Sequence, residues 1–239
     1  MMLTANEIPL PGLAEQFLFL QKHFKFEGGK RVLIIGFGCE KIAAEISKNY
    51  DAEVDVIVED YELFINARLN LENETNVKIK TMDFESVDYD DETFDLIYSQ
   101  GAISVPHRNK IIKEIKRILK PDGRFSVGEF ALFKENPPAF IRDVFEISSM
   151  EPLRSEELKP YYEKRNFDIA NEKDLSHTLG EYYRIQKERL KKNIVSLSES
   201  EKSFYKTALK KISHESNVYL KLGGNKFYGF QTLLLKKKN

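Results

Sequence analysis

The sequence predicts an α/β fold built on a mostly parallel sheet, and three observations carry that expectation. Short apolar runs alternate with amphipathic stretches at the spacing of strand–helix–strand units. The first run, Val32-Leu33-Ile34-Ile35, is apolar at every position, as a central parallel strand buried on both faces requires. The first three runs end in turn-forming or acidic residues, at Gly36, Glu59 and Asp83.

The elements follow in order. Leu13, Phe17, Leu20 and Phe24 recur at helical spacing, so residues 12–24 form an amphipathic helix that Gly28-Gly29 ends. After the first strand and the turn Gly36-Phe37-Gly38, a second helix places Ile42, Ala43 and Ile46 on one face. Residues 54–58 form the second strand, closed by Glu59-Asp60, and residues 61–71 a helix. Residues 77–82 form the third strand, and an acidic, turn-rich stretch leads to the fourth at 94–99. Ile111, Ile112, Ile115, Ile118 and Leu119 mark a strong amphipathic helix that Pro121-Asp122-Gly123 stops before a fifth strand at 124–130. In the second half, 155–165 reads as helix, 167–175 as strand, 177–193 and 198–220 as helices, and 226–235 as the last of seven strands. Phe204, Ala208 and Ile212 share one face of the last helix. No linker divides the chain. The expectation is one domain over 1–239, with an α/β core at 30–135, a helical region at 136–222 and a closing strand at 226–235.

Composition bounds the function. A chain of 239 residues buries roughly 70–75% of the surface its unfolded form exposes, and so folds without disulfides or a structural metal. The single cysteine, Cys39, excludes an internal disulfide framework and a multi-cysteine zinc site, and His23 and His214 offer no metal-ligand spacing. No apolar run approaches the roughly 18 residues of a membrane span. The N-terminal residues show no basic region followed by an apolar one, so the expected setting is cytoplasmic. The formal net charge of −1 conceals an asymmetry: residues 51–100 carry a balance of −12 and residues 181–239 a balance of +9. A basic segment of this kind is either a solvated face or a surface that steers an anionic partner.

The turn after the first strand carries the functional signal. Gly36-x-Gly38 opens a helix, where free backbone N–H groups and the helix dipole favour an anion. Glu59 follows Gly38 by 21 residues, the placement of an acid that binds ribose hydroxyls. The full G-x-G-x-x-G pattern is not met, because Lys41 holds its last position. The turn is compatible with a dinucleotide and with a nucleoside-containing cofactor.

The order of segments resembles the class I S-adenosylmethionine-dependent methyltransferases. Arg31–Gly38 resembles that family's first motif, Val54–Asp60 its second strand with the ribose-binding acid, and Met82-Asp83-Phe84 the motif that reads adenine. Phe94–Ser99 resembles its fourth strand, and Leu119-Lys120-Pro121-Asp122-Gly123 the turn before its fifth. Ser99-Gln100-Gly101-Ala102-Ile103 and Phe227-Tyr228-Gly229-Phe230 are similar to stretches of a bacterial small-molecule branch. The resemblance implies a Rossmann-like sheet of seven strands with an antiparallel last strand, S-adenosylmethionine as cofactor, and methyl transfer to a small molecule. By the same resemblance, Gly36, Phe37 and Gly38 take the methionine end, and Glu59 the ribose, with Asp60 in that role instead if the strand ends one residue later. Asp83 and Phe84 take the adenine, and Ser99 and Gln100 close the pocket near the sulfonium. Two departures stand out: Ile34 replaces an acid of the family's first motif, and Glu40 replaces its third glycine. Glu40 either points to solvent or repels the cofactor's carboxylate.

Candidate chemistry beyond the cofactor is sparse. His107, a few residues past the fourth strand, is the candidate base, against the alternative of a loop histidine in water. Glu129 either faces the acceptor or ends a strand in solvent, and Tyr98 reads as core. His177, Tyr182 and Tyr183 are candidates for pocket lining. Cys39, at a helix start, is either a thiol of lowered pKa or a small residue beside the turn. The alternatives to a small-molecule methyltransferase are an RNA or protein methyltransferase using the basic segment, a degenerate cofactor-binding protein, and a nicotinamide-dependent oxidoreductase. Lys41 and the Leu-Lys-Pro-Asp-Gly turn argue against the last. The basic segment makes an anionic acceptor the expectation if it faces the cavity, and the oligomeric state is left open.

Overall fold

The apolar pattern builds a sheet outward from its first strand. A computed structural model describes residues 7–71, 76–195 and 199–238. Strand β1 (Arg31–Ile35) pairs in parallel with β2 (Glu53–Val58) on one side and β4 (Phe94–Gln100) on the other, Val32 lying opposite Val54 and Leu96. Strand β3 (Val77–Thr81) extends the sheet past β2, and β5 (Leu119–Leu132) past β4, both in parallel. Strand β8 (Tyr228–Lys237) runs antiparallel to β5, and β7 (Phe167–Asp174) antiparallel to β8. The order is β3-β2-β1-β4-β5-β8-β7, with a two-residue β6 (Leu153–Arg154) paired to the end of β5 off this path. The antiparallel last strand is present as expected, and it is sandwiched between β5 and β7.

The fifth strand starts earlier than its sequence suggests. Leu119 already pairs with Phe94, residues 120–123 bulge with Asp122 in the left-handed region at φ 60°, and pairing resumes at Leu96 with Arg124. The Pro-Asp-Gly turn is therefore an interruption within β5.

The two sheet faces hold separate cores because neighbouring strand residues alternate in direction. On one face Leu33, Ile35, Ile97 and Val127 meet Ile111 and Ile115 of α4 (Arg108–Ile118) and Leu158 and Tyr162 of α6 (Ser155–Glu163). On the other, Val32, Ile34, Leu96 and Tyr98 meet Phe17 and Leu20 of α1 (Glu15–His23) and Ile42 and Ile46 of α2 (Glu40–Tyr50). Ile34, where an acid was a family expectation, is fully buried in this second core. Helix α3 (Tyr61–Asn70) connects β2 to β3.

A third cluster surrounds the C-terminal end of β5. There Phe130, Tyr228 and Phe230 pack with α5 (Ala139–Ile147), α7 (Leu179–Val195) and α8 (Glu199–Lys221). Within 136–222, then, α6 and β7 belong to the sheet layer, and the remaining helices form a separate cap. Helix α5 was not expected. Ile212 is buried in the third cluster, whereas the side chains of Phe204 and Ala208 lie outside the described part. No described helix is long and apolar enough to cross a membrane.

Close packing of α1 on the sheet depends on the absence of a side chain at Gly128, where a Cβ would run into the Gln16 carboxamide of α1, its Cδ 2.8 Å away, and lie 2.5 Å from Phe230 Cζ of β8. Gly128→Ala is expected to destabilise by roughly 1–3 kcal/mol through overpacking. Urea denaturation checks this as a lowered midpoint at unchanged slope.

Candidate functional site

Between β1 and β4 the chain reverses direction across the sheet. It builds outward from β1 to β2 and β3, then returns to β4 on the other side. In open parallel sheets the loops diverge at such a point and leave a crevice at the carboxyl ends of the strands. The glycine turn follows β1 directly into this crevice. Gly36 (φ 107°) and Gly38 (φ 92°) both occupy the left-handed region that side chains rarely adopt. A Cβ on Gly36 would stand 2.7 Å from the Ala102 Cβ, so the turn is closely packed as well as strained for other residues. Phe37, between them, is exposed.

Glu40 does not point to solvent. It is 5% exposed, and the Gly38 N–H donates to its Oε1 at 3.0 Å. Burial pushes the Glu40 carboxyl up, against the backbone N–H groups of Gly38 and of Glu40 itself, which favour the ionised form. Cys39 is buried beside it. Burial, reinforced by the Glu40 charge, raises the thiol well above its ordinary value. The reading of Cys39 as a thiol of lowered pKa is therefore overturned, and it stands as a small residue beside the turn.

The neighbouring strand ends bring in the acids. Glu59 and Asp60 follow β2 and Asp83 follows β3, all three exposed. The Phe84 N–H donates to Glu59 Oε1 at 3.1 Å, which ties the two strand ends together. Asp83 Oδ1 accepts from the Glu85 N–H at 2.8 Å, an Asx-type turn that fixes its orientation. Phe84 is 7% exposed and joins the buried cluster of Ile35 and Ile57 beneath the crevice.

Ser99 and Gln100 end β4, on the crevice's other wall, and serve the fold in a way the sequence did not disclose. Gln100 Nε2 donates to the carbonyls of Pro11 and Leu13 at 2.8 Å each, and its Oε1 accepts from the Tyr98 hydroxyl at 2.6 Å. The Ser99 carbonyl accepts from Gln16 Nε2 at 2.9 Å, while its hydroxyl is buried with no hydrogen-bond partner among the described residues. The segment before α1 thus crosses the end of β4. A Cβ on Gly38 would lie 2.9 Å from Leu10 Cδ2, and Gln186 of α7 donates to the Pro9 carbonyl. This short segment has no periodicity, so only its contacts reveal the role.

The acceptor-side candidates separate. His107 is exposed, holds a left-handed backbone (φ 66°) at the start of α4, and lines a cavity of about 210 Å³ with Arg108, Asn109, Glu151, Leu153 and Tyr161. Glu129 is fully buried, which overturns the solvent-facing reading. Arg108 Nε stands 2.9 Å from Glu129 Oε2, Ser104 donates to the same oxygen at 3.2 Å, and the Tyr162 hydroxyl donates to Oε1. His177 Nε2 lies 2.8 Å from Glu15 Oε1. The Tyr183 and Tyr228 hydroxyls pair at 3.1 Å within the third cluster, so Tyr183 is core.

Removing one member of a buried ion pair strands the other charge, at a cost of about 3–5 kcal/mol. Arg108→Met is expected to lose that much in urea denaturation, and Arg108→Met with Glu129→Leu to recover most of it.

Residues 33–127 match the family model described as a methyltransferase domain. The chain is 32% identical over 110 residues to a sterol 4-C-methyltransferase of Caenorhabditis elegans, covering 46% of this chain and 29% of that protein. It is 30% identical over 112 residues to a ubiquinone/menaquinone biosynthesis C-methyltransferase of Idiomarina loihiensis, covering 43% of each. It therefore spans less than half the length of these curated relatives. Its fold is similar to the structure of a Haemonchus contortus phosphoethanolamine N-methyltransferase 2 in complex with S-adenosyl-L-methionine. The TM-score is 0.77 at 15% identity, over 94% of this chain and 52% of that one. Over residues 33–127 the chain is thus similar to methyltransferase domains, and its fold is that of an S-adenosyl-L-methionine-binding methyltransferase of known structure.

Proposed function

We propose that this protein transfers a methyl group from S-adenosylmethionine to a small-molecule acceptor. One observation carries the reading: the glycine turn, Glu59, Asp83 and the end of β4 converge on the crevice where the strand order reverses. The acids at the strand ends suit the cofactor's ribose and adenine, whereas Glu40 competes with its carboxylate at the turn. The Gly38 N–H already holds a carboxylate, that of Glu40, which marks the turn as an anion seat. Glu59, Asp60 and Asp83 are exposed at the ends of β2 and β3, where carboxylates suit the hydroxyl and amino groups of a nucleoside. In this reading Gly36, Phe37 and Gly38 hold the methionine end and Glu59 the ribose, with Asp60 beside it. Asp83 takes the adenine amino group over the buried Phe84, and Ser99 and Gln100 bound the reacting end.

S-adenosylmethionine supplies an activated methyl on a sulfonium with a good leaving group. The protein's own contribution is alignment of the acceptor and exclusion of water. We assign the cap of α5, α7 and α8 to the acceptor side, because it packs on Phe130 and Phe230 at the C-terminal end of β5 and reaches the segment before α1 through Gln186. A base is needed only where the acceptor must lose a proton, and His107, exposed after β4, is the group we assign to accept it. The basic segment supports an anionic acceptor. Arg184, Lys191, Lys192, Lys210, Lys211 and Lys221 of α7 and α8 are exposed, so they attract an anionic acceptor by long-range steering and not by contact.

Calorimetric titration with S-adenosylhomocysteine tests the reading, and failure to bind at millimolar ligand contradicts it. Glu59→Ala is expected to weaken binding roughly ten- to hundredfold, the loss of about 1.5–3 kcal/mol for a hydrogen bond to a charged group. His107→Ala is expected to leave this affinity unchanged and to lower kcat by about 10²–10⁴ for an acceptor that must lose a proton.

A further inference from the structure

Glu40 occupies a position that an anionic ligand group would need. It is the first residue of α2, its neighbour Cys39 supplies no side-chain cap, and its carboxylate turns back to take the Gly38 N–H at 3.0 Å. The side chain is 5% exposed, so little water screens its charge. Its neighbour Lys41 does not offset that charge by contact, since the Lys41 ammonium stands 3.2 Å from Glu7. A backbone N–H at the entry to a helix is an anion seat. Here an internal carboxylate fills it.

Resting on the adenosyl-cofactor reading of this crevice, we infer that Glu40 selects adenosyl ligands by the charge of their tail. A free α-carboxylate arriving at the turn must displace Glu40 from the Gly38 N–H or share the seat with a second negative charge. Like charges a few ångströms apart in a water-poor site repel strongly. A tail that brings an ammonium without a carboxylate meets no such competitor and gains an opposite charge. An uncharged tail is indifferent to Glu40. The residue is therefore a specificity determinant for the non-reacting end of the ligand. It disfavours S-adenosylmethionine and S-adenosylhomocysteine relative to adenosyl thioethers that lack the carboxylate.

Three probes differing only at the tail separate these cases. They are S-adenosylhomocysteine, its decarboxylated analogue with the amine retained, and 5′-methylthioadenosine, which has neither group. Each is titrated calorimetrically into the full chain, into Glu40→Gly and into Glu40→Gln, with circular dichroism and thermal melting to confirm that the variants fold. Glu40→Gln keeps an acceptor oxygen for the Gly38 N–H and removes only the charge. Both variants are expected to bind S-adenosylhomocysteine at least tenfold more tightly than the parent and the decarboxylated amine several-fold more weakly. 5′-Methylthioadenosine should change by less than twofold. If 5′-methylthioadenosine binds all three proteins equally while Glu40→Gln leaves the preference between the other two probes unaltered, the inference is overturned and the adenosyl site stands. If no probe binds any of the three proteins, the adenosyl-site reading fails, and the inference with it.

Discussion

Strand β1 is held in parallel on both sides, Ile35 standing opposite Ile57 of β2 and Ser99 of β4, and the rest of the structure depends on that double pairing. With both neighbours parallel, all three strands release their chains at the same edge. The turn after β1 then has nowhere to go but between loops that leave in opposite directions. The crevice is a consequence of strand order. The Gly36 N–H, donating to the Ile57 carbonyl at 3.0 Å, fixes the start of the turn to the sheet, so its later N–H groups are presented from a rigid base. The acids of β2 and β3 reach the same edge because those strands are in register with β1.

On the far side of β4 the architecture changes from backbone pairing to buried polar contacts. Gln100 ties the segment before α1 to the sheet, and Glu129 ties β5 to Arg108, Ser104 and Tyr162. Glu129 carries a carboxyl that burial pushes up and that Arg108 chiefly pulls back down. Such contacts rigidify a region only when every member is satisfied. They hold the loop after β4, where His107 sits, against α6 and the end of β5. The site is thus half built by the sheet and half by side chains whose partners are remote in sequence.

That division explains what the sequence disclosed. Apolar runs and helical periods encode burial directly, so β1, β2, β4 and α4 were legible to within a residue or two. Partners far apart in the chain leave no local pattern. Gln100 reaches Pro11 across 89 residues and Glu129 reaches Tyr162 across 33, so neither role was visible beforehand. Glu40 was legible as a departure from the family pattern, but its direction was not, because a glutamate at a helix start has equal chemical reason to face water or an N–H. The bulge in β5 was hidden for a related reason. A Pro-Asp-Gly turn looks the same whether it precedes a strand or interrupts one.

On the proposed function, the cofactor binds in the crevice between β1 and β4. Amide hydrogen exchange with and without S-adenosylhomocysteine tests it most directly, because it locates the ligand on the chain without presuming any residue's role. Slowed exchange is expected in peptides spanning residues 36–41, 58–61, 82–86 and 99–103, with the cavity beside Tyr161 unaffected. Protection confined to other segments, or no protection at ligand concentrations that saturate binding, would contradict it.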